Sequence, residues 1–299
     1  MSGKLKEVRE RITSVNSTKQ ITNAMKMVSA AKLKKAQDAI TDMRPYANKL
    51  AEMLANILSN LEGDAASAFG VERPVIKAAV VVVTSNRGLC GAFNTNVIKA
   101  ATATIQEQYS DVYEAGNLTL YYIGKKGNDV LKKTFPKATH VMDYAPIIND
   151  TAFENVSPVS QLMMDRFIDG TYDAVNVCYG SFRNAAIQNP ISIQFLPVEK
   201  IEAEPGETEA QYNADYLFEP SKEVLLEKLI PSILQTSFHK YVLDTSASEH
   251  GARMTAMDKA TENATELIKE LKITYNKARQ EAITKEILEI VGGAAALEG

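Results

Sequence analysis

Residues Met257–Ala282 read MDKATENATELIKELKITYNKARQEA, and the spacing of this stretch decides the fold. Apolar or small residues recur at Met257, Ala260, Ala264, Leu267, Leu271, Tyr275, Ala278 and Ala282. Steps of three and four, with one four-four pair at Leu267, Leu271 and Tyr275, make a narrow seam, not the broad apolar face of a short surface helix. From Ala252 to Val291 there is neither Gly nor Pro. At about 1.5 Å per residue these forty or so residues reach roughly 60 Å. A helix of that length cannot bury its seam against itself and needs a partner.

The other end of the chain offers one. Leu5, Val8, Ile12 and Val15 open a three-four pattern that Leu33, Ala36, Ile40, Met43, Ala47, Leu50, Leu54, Ile57 and Leu61 continue. Between them the stripe weakens to Thr22, Met25 and Val28. The phase holds across Pro45, so a kink is expected there rather than an end, and Gly63-Asp64 stops the helix. Two narrow seams at opposite ends of one chain predict an antiparallel coiled coil of the termini. The C-terminal partner starts at an N-cap on Ser221, divides at Pro231 and frays at Gly292–Ala296.

The middle of the chain has a different texture. Lys77–Thr84 (KAAVVVVT) is a β-branched run of the kind buried on both faces of a sheet. The turn Ser85–Gly91 (SNRGLCG) leads into a helical pattern through Gln108, and Leu118–Ile123 (LTLYYI) is the next strand. Gly124 opens a short helix around Val130 and Leu131; a weaker strand covers Ala138–Tyr144. Ser157-Pro158 has the form of an N-cap and first helical position, with the helix reaching Phe167. Ala174–Phe182 and Ile191–Ile201 are strands, the second antiparallel to the first, and the acidic stretch 202–215 is a loop. Alternating strands and helices imply a mostly parallel, Rossmann-like α/β sheet. The expected organisation is an N-terminal shaft helix (1–62), an α/β domain (63–220) and a C-terminal shaft helix (221–299).

Charge is uneven along the chain: about +6 over residues 1–61, about −8 over 62–220 and about −2 over 221–299. No apolar run is long enough to cross a membrane, and the N-terminus lacks a signal-peptide core. Cys90 and Cys178 fit neither a zinc nor a disulfide framework and read as reduced thiols.

The α/β segment invites an enzymatic reading, which its motifs do not support. Neither a G-x-x-x-x-G-K-[ST] loop nor a G-x-G-x-x-G turn is present, and Gly124-Lys125-Lys126-Gly127 has neither spacing. Cys90, in a strand-to-helix turn beside Arg87, has the setting of an activated nucleophile. Nothing marks His140, His239 or His250 as its base, so tight-turn glycines around a packed Cys90 are the favoured reading. No catalytic residue, cofactor or metal is expected. Two other classes stay open on the residues alone: a coiled-coil scaffold or nucleic-acid binder using the basic helix, and a hydrolase-like enzyme using Cys90.

Several ordered segments resemble the gamma subunit of F-type ATP synthase. They are Ile12–Val28 (ITSVNSTKQITNAMKMV), Arg44-Pro45-Tyr46, Asn86–Gly91, Tyr216–Pro220 (YLFEP), Ser248–Met257 (SEHGARMTAM) and Tyr275–Thr284 (YNKARQEAIT). The resemblance implies a non-catalytic rotor shaft inside a ring of alpha and beta subunits, with the α/β domain against the epsilon subunit and the c-ring. Ion-driven rotation of that shaft would make the catalytic beta sites act in turn. It implies no nucleic-acid partner, no membrane contact except through the c-ring, and a peripheral place on the cytoplasmic face of a bacterial inner membrane. Contacts with beta subunits are expected at Met25, Lys26, Arg279 and Gln280, with coupling roles for Arg253, Gln280 and Thr284. Tyr216 and Leu217 match the foot near epsilon and the c-ring. Lys26 departs from the family pattern, standing where many relatives carry Glu. The cysteine-bearing insert of chloroplast relatives is missing, so thiol regulation is not expected.

Overall fold

The computed structural model describes residues 3–59, 69–71, 73–198 and 222–298. The helix stop at Gly63-Asp64, the seam residue Leu61, the loop 202–215, Tyr216–Pro220 with the foot residues Tyr216 and Leu217, and the Ser221 cap lie outside the described residues. So do the side chains of Leu54 and Ile57.

Two long helices bracket a five-stranded sheet. The first, α1, spans Gly3–Ser59 and runs through Pro45 without a break. The last, α6, spans Lys222–Glu298. Pro231 does not divide it, contrary to expectation, because Ile230 and Leu234 on either side pack into the α/β core and hold the helix through the lost hydrogen bond. Nor does α6 fray at Gly292; strong helix formers at Ala294, Ala295 and Ala296 carry it on. Contacts group the chain into two compact units, Met1–Ala30 with Arg253–Gly299, and Ala31–Ala252, so each long helix contributes to both.

In the first unit the helices are antiparallel and in constant register. Lys4 Nζ lies 3.4 Å from Glu281 Oε2, Thr22 Oγ1 lies 2.8 Å from Thr261 Oγ1, and Lys26 Nζ lies 2.5 Å from Asp258 Oδ1. Moving from 4 to 26 on one helix matches a retreat from 281 to 258 on the other, with no slip. Met257, Ala264, Leu271 and Ala278 are buried at a strict seven-residue interval, with Ala260, Leu267, Tyr275 and Ala282 half-buried between them. That is the heptad seam read from the sequence. On α1 one expected seam residue is wrong: Val28 is 57% exposed, and Ser29 is buried in its place at 3%. Ser29 stands seven residues after buried Thr22, so helical phase and not hydrophobicity sets the seam.

The second unit holds the sheet. Its strands are β1 (Ala78–Val83), β2 (Leu118–Ile123), β3 (Thr139–Val141), β4 (Ala174–Phe182) and β5 (Gln188–Leu196), in the order β3-β2-β1-β4-β5. All pairs are parallel except β4 with β5. Strand β1 is fully buried because both faces are covered. Ala79, Val81 and Val83 face helix α5 (Phe153–Ile168) and the Leu234, Phe238 and Val242 stripe of α6. Ala78, Val80 and Val82 face helix α2 (Phe93–Gln108) and Leu131 of α4 (Lys125–Thr134). A five-residue helix, α3 (Ser110–Glu114), precedes β2.

Helix α5 corrects another expectation. It starts at Phe153 behind Ala152, and Pro158 lies inside it, so Ser157 is not the cap. Val156, Val159, Met163 and Phe167 form one buried face that runs straight past the proline. Burying Val156 against the sheet is worth about 2 kcal/mol, which offsets most of the cost of a proline within a helix.

Candidate functional site

The residues singled out by the sequence fall into two bands on the helix pair. The first contains Met25 and Lys26, both half-buried, with Asp258 opposite them on α6. Arg253 stands about 8 Å farther along α6, at about 1.5 Å per residue. It is only 8% exposed despite its charge. The second band holds Arg279, Gln280 and Thr284, all exposed, roughly 40 Å from Arg253 along the same helix. The Lys4–Glu281 pair brings the first turns of α1 level with it. Gln280 and Thr284, one turn apart, line a shallow open groove with Lys277, Glu281, Lys285 and Leu288. Arg279 adjoins buried Ala278 but points its guanidinium away from the seam.

Asp258 is the residue that sequence reading missed. Lys26 reverses the family's usual charge, and in this chain its ammonium meets a carboxylate on the opposite helix. Both side chains keep over a third of their surface exposed, so the pair is worth at most about 1 kcal/mol. Its position matters more than its strength: together with the Thr22–Thr261 contact it pins the register of the two helices where their seam is poorest in large apolar side chains. No pattern within either helix announces the pairing, because interhelical register is a long-range property.

The enzymatic candidates resolve into packing. Cys90 is buried in the core beneath α2, where Asn94 Nδ2 donates to its Sγ at 3.1 Å. The turn around it needs unusual backbone: Leu89 and Gly91 have φ of 62° and 58°. His140 Nε2 sits 3.1 Å from the Phe135 carbonyl and its Nδ1 2.7 Å from the Tyr122 hydroxyl. The carbonyl requires the hydrogen on Nε2, so Nδ1 accepts from the tyrosine. His239 Nε2 likewise donates to the Thr151 carbonyl at 2.8 Å. Burial lowers the pKa of both histidines, and neither faces Cys90. Burial also pushes the Cys178 thiol up to about 11.

The start of α4 is closed to phosphate by the protein's own acceptors. The N–H groups of Lys125, Lys126 and Gly127 donate to Asn86 Oδ1 at 3.0 Å, the Ser85 carbonyl at 3.1 Å and Thr84 Oγ1 at 2.9 Å. A helix N-terminus binds an anion only with free amide donors, and these three are taken. Among the described residues, no cluster of His, Cys, Asp or Glu could hold a metal ion. No described helix is long and apolar enough to cross a membrane.

Comparison with known proteins agrees with this picture. The sequence model of a family described as ATP synthase matches residues 4–297. The chain is 54% identical to the ATP synthase gamma chain of Flavobacterium psychrophilum over 296 residues, covering 99% of each. With that of Flavobacterium johnsoniae it shares 53% over 295 residues, again covering 99% of each. Its fold resembles a chain in the Euglena gracilis mitochondrial ATP synthase OSCP/F1/c-ring structure, with a TM-score of 0.64 and 22% identity over 99% of this chain and 95% of that one. A chain of the Tetrahymena thermophila mitochondrial ATP synthase central stalk and c-ring gives 0.54 and 23%, covering 80% of this chain and 99% of that one. An antiparallel terminal helix pair, an α/β body without a nucleotide loop, and half or more of its residues shared with gamma chains end to end lead to one conclusion: the chain belongs to the ATP synthase gamma-chain family.

Proposed function

We propose that this chain is the central rotor shaft of an F-type ATP synthase, coupling ion-driven rotation of a c-ring to ATP synthesis or hydrolysis at catalytic beta subunits. It is a subunit without a catalytic centre of its own. Its partners are the alpha and beta subunits, the epsilon subunit and the c-ring. Its place is peripheral, on the cytoplasmic face of a bacterial inner membrane, with the c-ring as its contact to the membrane. The chain works as two shaft helices, 1–62 and 221–299, carrying an α/β domain, 63–220, with Tyr216 and Leu217 at the foot.

Besides family membership, one observation carries this reading: two long helices held in constant antiparallel register by polar contacts across a narrow seam. Such a pair passes torsion from one end to the other, because twisting one helix drags the other. A seam of Ala, Thr and Met leaves charged side chains free to face outward. Met25, Lys26 and Arg253 form an inner grip and Arg279, Gln280 and Thr284 an outer one. Arg279 offers a rigid five-donor fork, suited to a carboxylate on a moving partner. Gln280 both donates and accepts.

Replacing both Arg279 and Gln280 with alanine tests the outer grip. Each is exposed, so the double substitution should change folding stability by under about 0.5 kcal/mol per site. ATP turnover by the assembled complex should nevertheless fall at least about fivefold, some 1 kcal/mol of barrier. Subunit stoichiometry, melting, synthesis and hydrolysis would be compared with wild type. Unchanged turnover and coupling in a fully assembled complex would remove these two residues from the grip.

Cys90 should behave oppositely. Cys90→Ser keeps an acceptor for Asn94, which also donates to Ser85 Oγ at 2.8 Å. ATP hydrolysis should stay within about threefold of wild type, under roughly 1 kcal/mol. A loss of several orders of magnitude with assembly intact would restore Cys90 as a chemical group.

A further inference from the structure

The α/β segment is acidic, yet one of its helices presents a cationic face. On α4, Lys125, Lys126, Asp129, Lys132 and Lys133 share one side of the helix, since residues three, four and seven apart are neighbours on a helical surface. The opposite side, Gly127 and Leu131, is sealed into the core. Lys126 is neutralised by Asp129 at 2.9 Å, and just beyond the helix Lys137 pairs with Glu114. Among the described residues Lys125, Lys132 and Lys133 have no carboxylate partner. The positive field reaches inward, where Lys132 contributes to the lowered pKa of His140, after burial. The face also abuts the Ser85–Arg87 turn, through the amides of Lys125 and Lys126.

We infer that the lysine face of α4 docks an acidic polypeptide surface on another subunit of the complex. The chemistry selects this partner over other anions. A lipid surface holds an amphipathic helix by its inserted apolar side, but that side of α4 is already buried in its own domain, and Val130 is the one large apolar side chain the helix exposes. Nucleic acid is gripped with stacking aromatics and guanidinium planes, and α4 carries neither aromatic residue nor arginine. Lysines are compact point charges that accept many geometries. Lys125 and Lys132, like Lys126 and Lys133, stand about 10 Å apart along the axis, the repeat at which two turns of an acidic helix or loop present carboxylates. Unneutralised lysines around one internal ion pair thus give a surface that gains charge pairs on docking without dismantling existing ones.

The inference rests on the proposed multisubunit assembly, and the test separates the two. The complex would be purified with wild-type chain and treated with a zero-length carbodiimide, which joins a lysine Nζ to a touching carboxylate as an amide. Mass spectrometry should find Lys125, Lys132 or Lys133 linked to an Asp or Glu of another subunit. Replacing these three with arginine keeps the charge and should abolish the links while leaving subunit recovery unchanged. Replacing them with glutamate should lower the salt concentration at which the linked subunit dissociates. Full subunit recovery with only the internal Lys126–Asp129 link would overturn the docking surface and leave the assembly standing. Failure to recover any partner subunit with the wild-type chain would overturn the assembly itself, and the inference with it. Retention on phosphatidylglycerol vesicles or on double-stranded DNA at physiological salt, lost in the glutamate variant, would also overturn it in favour of those anions.

Discussion

Asp244→Asn is expected to stabilise the folded chain by about 2–3 kcal/mol above pH 6 and by almost nothing near pH 4. Asp244 lies on α6 at 8% exposure. Burial raises its pKa from an ordinary 3.8 to about 6, against the partly compensating charges of Lys240 and Arg44. The rings of Tyr179 and Tyr241, stacked at 4.6 Å, belong to the same neighbourhood. With the folded pKa above the unfolded one, protons bind more tightly to the folded state. Below pH 4 both states are protonated and the carboxyl costs nothing extra. As pH rises from about 4 to 6 the unfolded chain ionises first, and stability is lost; above pH 6 the loss is constant. A shift of about two pKa units corresponds to roughly 3 kcal/mol. Asparagine has the same shape and no charge, so it escapes the penalty at every pH. Chemical denaturation of wild type and variant from pH 4 to pH 8 would show the gap opening across that window. Equal stabilities at pH 8, or a gap independent of pH, would mean that Asp244 is not desolvated in the way its burial implies.

The two buried histidines work in the opposite sense. Their lowered pKa values mean that stability present above the unfolded histidine pKa is lost as pH falls through the folded values. Acid therefore adds to the stability of the wild-type chain at Asp244 and subtracts from it at His140 and His239. Comparing the aspartate variant with wild type isolates the first effect, because the histidines are common to both.

Local periodicity carried far in this chain, and its failures share a cause. Strands β2 and β4 fall where β-branched and aromatic runs place them, because such runs suit a sheet covered on both faces. The α6 seam is buried at the heptad positions because seven residues bring a helix back to the same side. The misjudged points are those where tertiary contact outweighs a local preference. Ser29 rather than Val28 fills the seam because position is fixed by the partner helix. Pro158 and Pro231 sit inside helices because their neighbours bury apolar surface on the sheet. Pro190 lies within β5, which starts earlier than read and ends before Pro197; an edge strand tolerates a residue that cannot donate. Site residues on α6 could be named by resemblance, but the partner of Lys26 could not, since Asp258 meets it only through the fold.

Gly124→Ala should be the most damaging single methyl in the described part of the chain, costing more than about 4 kcal/mol. Gly124 closes β2 and caps α4 with φ 98° and ψ 146°, a conformation that L side chains rarely adopt. A Cβ there would lie 1.9 Å from the Thr84 carbonyl oxygen and 2.6 Å from its carbon. Thr84 has no room to give way. Its N–H donates to the Ile123 carbonyl at 2.7 Å at the end of the β1–β2 ladder, and its hydroxyl receives the Gly127 N–H at 2.9 Å. The Gly124 N–H is itself committed to the Ala145 carbonyl at 3.2 Å. Relief of the clash therefore means parting β1 from β2 or uncoupling α4, and either opens the core that Val80, Val82, Leu120 and Tyr122 share. Two other glycines calibrate the result. Gly116 has φ 75° but open space around its Cβ position, so alanine there meets backbone strain alone, about 1 kcal/mol. Gly88 has open space and no such φ, so alanine should fall within about 0.5 kcal/mol of wild type. Denaturation midpoints should rank Gly88→Ala above Gly116→Ala, with Gly124→Ala far below or insoluble. If Gly124→Ala were as stable as Gly116→Ala, the turn after β2 would be free to move, and the closed amides at the start of α4 would no longer argue against a phosphate there.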